Sequence, residues 1–349
     1  MPFALFCGLL AGAVLIATVT PGGLVRFVAV GDIMLSRNVA AKAKAAGDPY
    51  LPFRGVAELL DSSDFNFGNL ESPFAPPAGD GSSASPGGPS ESDWDGVIGG
   101  KSLVFGAPNK SLSALARFNF RVLSMANNHA LDQDEAGLLH TIDRLAANGI
   151  RVVGAGANLE DAWRAQVVER QGRKIAFLAV SYASLNYGTD ERNEYVARIE
   201  DLDRLRSQVR ALKSQAEFVA VAMHAGNEYT SEPTQAQVDF AHAAIDAGAS
   251  LVVGSHPHWL QRFERYRGGL IFYSLGNFVF DLDSSPDVRV GAAVRVYVAE
   301  NNEVWAEVIP VEIENGCCPR PSRGDEITRA LERMGLRSAR IALSRSEAE

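Results

Sequence analysis

Short apolar runs that each end in a group of polar residues constrain the fold of this chain more than any other feature. The runs are rich in Val, Ile, Leu and Phe and are bounded by Gly, Asn or Asp, which predicts buried β-strands. Strands are predicted at residues 25–30, 65–67, 121–125, 151–153, 174–181, 217–223, 250–253 and 270–275.

Amphipathic stretches between these runs predict helices. Asp132 and Glu135 have capping-box spacing at the start of a helix that stops at Gly149, and further helices are predicted at about 201–216 and 234–247. Strands that alternate with helices predict an α/β fold with a mostly parallel or mixed sheet covered by helices. Two long strands, joined at Asn301-Asn302, predict an antiparallel end to the sheet.

The first segment of the chain is apolar, and residues 2–19 carry no charge. We divide the chain into a leader at 1–23, one domain at 24–315 and a charged tail at 316–349, with a helix from 325 to about 344. The leader has the length of a membrane anchor or a signal segment, but no Lys or Arg precedes it. We expect export or anchoring in the cell envelope, possible contact with a membrane through the N-terminus, and a cytoplasmic protein if the start codon is mis-assigned.

Composition excludes several classes of protein. Hydrophobic residues make up 46% of the 349 residues, which is enough for a globular core, and the net charge of −9 argues against a nucleic-acid partner. The three cysteines form no Cys-x-x-Cys, so a zinc ribbon or thioredoxin-type site is excluded. We interpret the adjacent Cys317 and Cys318 as two free thiols.

The Pro-, Gly- and Ser-rich segment 75–100 predicts a long loop, either disordered or lying over the site.

The polar groups follow the predicted strands, so the carboxyl ends of a parallel sheet would bring them to one edge, where α/β proteins bind ligands. Imidazole and carboxylate groups together suit zinc, iron or manganese. Each residue alone is more commonly a helix cap or a core residue, but their joint placement favours a metal or anion site. His140 and His242 lie within helical patterns, and we assign them no function. The polar groups begin at Asp32, Asn69, Asn127, His224, His256 and Asn277.

The motifs that contain these residues resemble those of the CapA family of capsule and poly-γ-glutamate synthesis proteins, in the calcineurin-like metallophosphoesterase superfamily. The resemblance covers about residues 25–281 and implies layered mixed β-sheets flanked by helices, a metallophosphoesterase-like sandwich. The motifs are VGDIMLSR from Val30, NLESP from Asn69, MANNHALDQDEAGLLHTIDRLAANGIRVVGAGANLEDA from Met125, MHAGNEY from Met223, VVGSHPHWLQ from Val252 and IFYSLGNFVFD from Ile271.

The resemblance also implies a site for one or two divalent ions, Mn, Fe or Zn. Within it, His129 would protonate a leaving oxygen or steady the phosphoryl group, and Glu228 is a second catalytic candidate. Glu71 would take the place of the bridging carboxylate. By motif, the metal ligands would be Asp32, Glu71, Asn128, His224, His256 and His258.

Three departures from the superfamily pattern leave the metal number and the hydrolytic ability open. Met34 stands where the first motif would have a histidine, and Asn69-Leu70-Glu71 replaces the Gly-Asp of the second. Ala225 stands where the CapA family has a tryptophan.

Two main functions follow from these observations. The first is a metal-dependent phosphoester hydrolase in capsule or poly-γ-glutamate production, with a phosphoester substrate. The alternative is a non-catalytic envelope component that binds or helps export an anionic polymer, working with other membrane subunits. Arg262, Arg265 and Arg267 would then form a basic rim, although a solvated loop is the favoured interpretation of these arginines. A scaffold that keeps the site residues only for structure is a third interpretation.

Overall fold

The computed structural model describes residues 23–76, 94, 96–97, 99–100, 103–182, 194–300 and 303–343. Residues 1–22 of the predicted leader, most of segment 75–100 and the Asn301-Asn302 turn lie outside these described residues. Within them, no helix combines the length and the apolar character needed to cross a membrane.

The described residues form an α/β fold in which every predicted strand is present. The strands are β1 (Val25–Ile33), β2 (Phe65–Leu70), β3 (Phe120–Ser124), β4 (Arg151–Val153), β5 (Gln166–Arg170), β6 (Arg173–Ser181), β7 (Phe218–His224), β8 (Leu251–Ser255), β9 (Phe263–Tyr266), β10 (Gly269–Phe272), β11 (Asn277–Val279), β12 (Val290–Val298), β13 (Val304–Glu314), β14 (Cys318–Pro321) and β15 (Arg340–Leu343). The helices are α1 (Arg37–Ala45), α2 (Ala57–Asp61), α3 (Leu112–Arg117), α4 (Asp134–Ala147), α5 (Leu159–Ala162), α6 (Leu202–Lys213), α7 (Gln235–Ala247) and α8 (Asp325–Arg333).

Two mixed sheets contain these strands. Among the described residues, the first has the order β14-β13-β12-β1-β2-β3-β4, with β11 added to β1 and β15 to β13. The second has the order β5-β6-β7-β8-β10-β9. Strands β1 to β4 run parallel, as do β6, β7, β8 and β10. The antiparallel pairing of β12 and β13 confirms the predicted end of the sheet.

The hydrophobic core explains why these strands are apolar along their whole length. Phe27 and Phe65 of the first sheet stack at 5.4 Å between ring centroids, and Phe67 stacks on Phe177 of the second sheet at 5.1 Å. A second cluster lies where Phe240 of α7 and Leu205 of α6 are buried with residues of the second sheet. Strands covered on both faces lack the polar alternation of half-exposed strands, and the structure confirms layered mixed sheets flanked by helices.

Two local predictions were wrong. Asp132 does not cap α4, which begins at Asp134, because its carboxylate instead contacts His129 and the backbone N–H of Phe105. The predicted helix from 325 to about 344 ends at Arg333, and β15 follows because its backbone pairs with the edge of β13.

The interpretation of Cys317 and Cys318 as free thiols was also wrong, because the structure joins them in a disulfide. Since their Cα atoms lie 3.7 Å apart, the two sulfurs can meet within one turn. The bond closes no long loop, so it removes little conformational freedom from the rest of the unfolded chain.

Candidate metal centre

Residues at the carboxyl ends of strands from both sheets meet at one edge of the molecule. Asp32 lies near the end of β1, and Glu71 follows β2 directly. His224 is the last residue of β7, and His256 follows β8. All four residues are buried. The first sheet therefore contributes the two carboxylates of this edge, and the second sheet contributes the two imidazoles.

A close backbone contact places Asp32 at this edge. Its N–H donates to the carbonyl of Gly276 at 3.1 Å, just before β11. A Cβ at Gly31 would lie 1.9 Å from that carbonyl oxygen, so only glycine allows the two segments to approach so closely.

Hydrogen bonds orient the carboxylate of Asp32. Asn69 donates its side-chain amide to Oδ1 at 2.8 Å, and the backbone N–H of His256 donates to Oδ2 at 3.2 Å. His224 Nδ1 lies 3.8 Å from Oδ1, and His258 Nδ1 lies 3.7 Å from Oδ2. Each oxygen of the Asp32 carboxylate therefore lies near a different imidazole, that of His224 or that of His258. A carboxylate in this position could bind a metal ion together with either histidine.

Glu71 is fully buried, and neither of its carboxylate oxygens accepts a hydrogen bond within the described residues. Burial, followed by the negative charge of Asp32, raises its pKa well above the usual range. An unpartnered buried carboxylate is costly, so this group requires a proton or a cation. Asp32, Glu71 and His224 offer ligand atoms within 4.8 Å of one another, a group that can hold a metal ion.

His224 and His256 lie side by side at the centre of the cluster. His224 Nε2 is 2.6 Å from Asn128 Oδ1 and 3.2 Å from His256 Nδ1. Burial, then repulsion between the imidazolium charges, lowers the pKa of His224 well below its usual range and that of His256 to about 3. Both rings are therefore neutral at pH 7, which is the form that binds metals.

His256 and His258 both adopt left-handed backbone conformations, with φ of 98° and 57°. This is uncommon outside glycine and is found at functional sites, where surrounding contacts maintain the strain. His258 Nδ1 contacts Asn277 Oδ1 at 2.9 Å, and Asn277 donates its amide to the carbonyl of Val288 at 2.8 Å. Asn277 thus fixes the orientation of the His258 ring.

His129 lies beside the cluster and faces it through Nε2. Its Nδ1 is 2.7 Å from Asp132 Oδ2, and its Nε2 is 3.9 Å from Glu71 Oε1. The ring stacks on Phe105 with 3.9 Å between ring centroids. Asp132 and Phe105 therefore hold the imidazole in one orientation.

A buried arginine lies next to the aromatic rings that cover the site. The Arg37 guanidinium pairs with Asp281 and lies 4.8 Å from the ring centroid of Phe105 and 5.8 Å from that of Phe280. Phe280 in turn packs on His258, with 4.9 Å between ring centroids. The buried Arg37–Asp281 ion pair therefore supports the two aromatic rings that pack on His129 and His258.

Glu228 lies apart from the buried cluster, because it is exposed in the loop after β7. Its charge contributes to the raised pKa of Glu71 and, after burial, to that of Tyr229. Tyr229 lies 5.9 Å from His258 between ring centroids, so this loop forms part of the opening of the site.

The structure brings all six predicted metal ligands and His129 to this edge. His140 and His242 lie elsewhere, bound to Asn109 and Glu264. Sequence reasoning did not predict which residues orient the site, and it interpreted one of them, Asp132, as a helix cap. Their signal was present, because each lies within a motif that carried the family resemblance. These residues are Arg37, Asn69, Asn127, Asp132, Asn277 and Asp281.

The model of a known family, described as bacterial capsule synthesis protein PGA_cap, matches residues 26–282. The chain belongs to this family. The capsule biosynthesis protein CapA of Bacillus anthracis is 31% identical over 308 residues, 87% of this chain and 70% of that protein. The PGA biosynthesis protein CapA of Bacillus subtilis is 31% identical over 85% of this chain and 74% of its own length.

The NAD nucleotidase NadN of Haemophilus influenzae has a similar fold, with a TM-score of 0.50 at 13% identity, over 90% of this chain and 63% of that protein. Identity this low shows the fold alone. The comparison confirms the predicted metallophosphoesterase-like sandwich, and the family match confirms the resemblance to CapA proteins.

The residues at this edge fit a divalent metal centre. The carboxylates, neutral imidazoles and amide oxygen are donors that suit zinc, iron or manganese. The two oxygens of Glu71 accept no hydrogen bond within the described residues, and a cation would offset both its desolvation penalty and its repulsion from Asp32.

Proposed function

We propose that this protein is a metal-dependent phosphoester hydrolase that acts in capsule or poly-γ-glutamate production. The observation that carries the proposal is the buried carboxylate of Glu71, which accepts no hydrogen bond within the described residues and lies beside Asp32 and His224. Such an arrangement is unfavourable without a cation and becomes favourable with one.

The proposed ligands of one or two divalent ions are Asp32, Glu71, Asn128, His224, His256 and His258. When bound, the ions would supply a nucleophile from water at neutral pH and neutralise charge on the phosphoryl group. The chain itself orients these groups, since Asn69 holds Asp32 and Asn277 holds His258. Neutral imidazoles at His224 and His256 keep ligand nitrogens available at pH 7.

His129 is the proposed general acid. With Nδ1–H donated to Asp132, its Nε2 faces the cluster and can deliver a proton to the leaving oxygen. Asp132 holds the ring in this tautomer and orientation. Glu228 and Tyr229, at the opening, would contact the substrate rather than the reacting atoms.

A binding-only site for an anionic polymer is the second candidate, and Met34 favours it. This residue replaces a histidine of the superfamily pattern, is fully buried, and has its sulfur 3.1 Å from the backbone N–H of Ser36. The protein would then hold polymer carboxylates through the metal.

The predicted basic rim does not support this candidate, because its three arginines have other partners. Arg262 pairs with Glu264, Arg265 with the Ala342 carbonyl and Arg267 with Asp246.

We propose that either function is carried out in the cell envelope, through export or anchoring by the leader, with other capsule-synthesis membrane subunits as partners. The family match supports a role in capsule production, and the apolar character of residues 2–19 is what suggests export or anchoring.

Metal content and turnover test the proposal together. We expect about two equivalents of metal in the purified protein, the count of a two-metal site, and few in His256→Ala/His258→Ala. The same preparations are assayed with a chromogenic phosphodiester in manganese. Metal without turnover of any phosphoester would favour polymer binding, and no metal after growth in manganese, iron and zinc would contradict both candidates.

The proposed role of His129 makes a separate prediction. His129→Ala should reduce phosphoester turnover roughly 100-fold or more, as loss of a general acid does. Asp132→Asn should reduce it about 10- to 100-fold, because the ring loses its orientation but remains present. Metal content should not change in either variant. Asp134→Asn, at an exposed neighbouring acid, is the control, and turnover unchanged in His129→Ala would contradict the role.

A further inference from the structure

Four basic side chains surround a cavity of about 500 Å³ far from the metal centre. They are Arg121, Arg151, Arg170 and Lys174, and the lining also includes Gln215 and one acidic residue, Glu169. Cavities of about 300–1,000 Å³ are typical of ligand sites. This concentration of positive charge is unusual in a chain with a net charge of −9.

Neutral groups, rather than carboxylates, orient the three guanidinium groups. Arg121 Nε donates to Asn119 Oδ1 at 2.8 Å, Arg151 to the carbonyl of Val167, and Arg170 to the carbonyl of Glu169 at 2.9 Å. Within the described residues, none of the four basic groups forms an ion pair, whereas many other arginines do. Glu169 is the one acidic residue among the lining residues given for this cavity, so an excess of three positive charges remains there.

The cavity lies at the opposite edge of the sheets from the metal centre. Arg121 and Arg151 lie near the start of β3 and β4 in the first sheet, and Lys174 lies near the start of β6 in the second. Gln215 lies between α6 and β7. The metal centre lies at the carboxyl ends of these strands, so the two sites are separate.

We infer that this cavity, the basic cleft, binds a segment of a polycarboxylate chain. Several cations facing one cavity require a ligand with several negative charges, and guanidinium groups match carboxylates in shape and hydrogen bonding. The choice of a glutamate polymer rests on the proposed role in poly-γ-glutamate production. The basic cleft would then hold the polymer while the metal centre acts on, or binds, a different group.

Binding of a fluorescently labelled γ-linked glutamate oligomer to the full-length protein tests this inference. Gln215→Glu adds one negative charge to the cleft with almost no change in shape, and should weaken binding about 1.5- to 5-fold, the effect of one exposed charge contact. Arg151→Gln/Lys174→Gln removes two such contacts and should weaken binding about 2- to 25-fold. Binding should also decrease as salt increases.

Matched controls separate the cleft from overall charge. Gln208→Glu lies on α6 outside the cleft, and Lys44→Gln/Arg210→Gln removes two exposed cations elsewhere. Both should bind the oligomer as the wild type does. Equal weakening in controls and cleft variants would contradict the inference, as would binding of short polyphosphate at the cleft without binding of the oligomer.

The metal-centre variant distinguishes this inference from the hydrolase proposal. His256→Ala/His258→Ala should lose metal and turnover but keep oligomer binding. Absence of turnover in the wild type, with binding that still depends on Gln215 and Lys174, would refute hydrolysis and support the cleft. Normal turnover without oligomer binding would refute the cleft alone.

Discussion

At the scale of single residues, the candidate metal centre brings several buried ionisable groups close together. Glu71 has a raised pKa, whereas His224 and His256 have lowered ones, so burial favours the neutral form of all three. Asp32, the second buried carboxylate, accepts hydrogen bonds from Asn69 and from the backbone N–H of His256. Without a cation, Glu71 is the least favourable charge of the site.

Glu71→Gln should therefore change how the stability of the metal-free protein depends on pH. A carboxyl whose folded pKa is raised binds more protons when folded, so its contribution to the free energy of unfolding decreases as pH rises above about 4.5, by at most about 1.4 kcal/mol per pH unit. Removing this group should make the variant increasingly stable relative to wild type as pH rises from 4.5. Urea unfolding in a chelator at several pH values measures this difference.

His224 and His256 affect the pH dependence of stability in the opposite direction, and both are present in the wild type and in Glu71→Gln. Because the pKa values of His224 and His256 are lowered, the stability they provide is present above about 6.5 and decreases as pH falls towards 3. Comparing variant with wild type cancels this term. Glu58→Gln, at an exposed acid, is the control, and a pH-independent difference between Glu71→Gln and wild type would contradict the raised pKa.

At the scale of elements, the start of α7 connects the second sheet to the loop that carries Glu228. Thr234 and Gln237 form a capping box. The amide of Gln237 also donates to Gln261 Oε1 at 3.1 Å, and Gln261 donates to the carbonyl of Thr230 at 3.2 Å. The helix cap therefore belongs to a buried network that holds the opening of the site.

Replacing the two capping residues should have unequal effects. Thr234→Ala should reduce the free energy of unfolding by about 1 kcal/mol, the usual effect of a lost N-cap. Gln237→Ala should reduce it by roughly a further 1–3 kcal/mol, because it leaves the buried Gln261 oxygen without its donor. Chemical denaturation at pH 7 measures both. Equal losses would show that the network beyond the cap contributes nothing.

Sequence reasoning succeeded where structure follows from local patterns and failed where distant contacts decide. The strands and α7 were predictable because apolar runs, the spacing of Thr234 and Gln237, and Gly248 act within a few residues. Asp132 was misassigned as a cap because its partners, including Phe105, lie far along the sequence or across a turn. β15 was missed because only the edge of β13 makes it a strand.

The candidate site was predictable for a related reason. The residues at the ends of parallel strands share an edge whatever the details of packing, so Asp32, His224 and His256 could be grouped from the sequence. The exposure of Glu228 and the role of Asn277 in orienting His258 could not, because they depend on how loops from separate strands pack.

At the scale of the whole molecule, the candidate metal centre combines residues of the two sheets. Asp32 and Glu71 belong to the first sheet, whereas His224, His256 and His258 follow strands of the second. A bound cation would add contacts across the interface between the sheets, where Phe67 and Phe177 already pack. Binding should therefore stabilise the fold as a unit.

We predict that manganese raises the melting temperature of the chelator-treated protein. A ligand that binds only the folded state at 100 times its Kd adds about 2.7 kcal/mol, which is several degrees for a domain of this size. His256→Ala/His258→Ala should lose most of this increase, whereas His242→Ala, at a histidine bound to Glu264 on the far side of the second sheet, should keep it. Thermal unfolding with and without manganese measures the shift. No shift in the wild type would mean that these buried residues serve the structure alone, as in the scaffold interpretation.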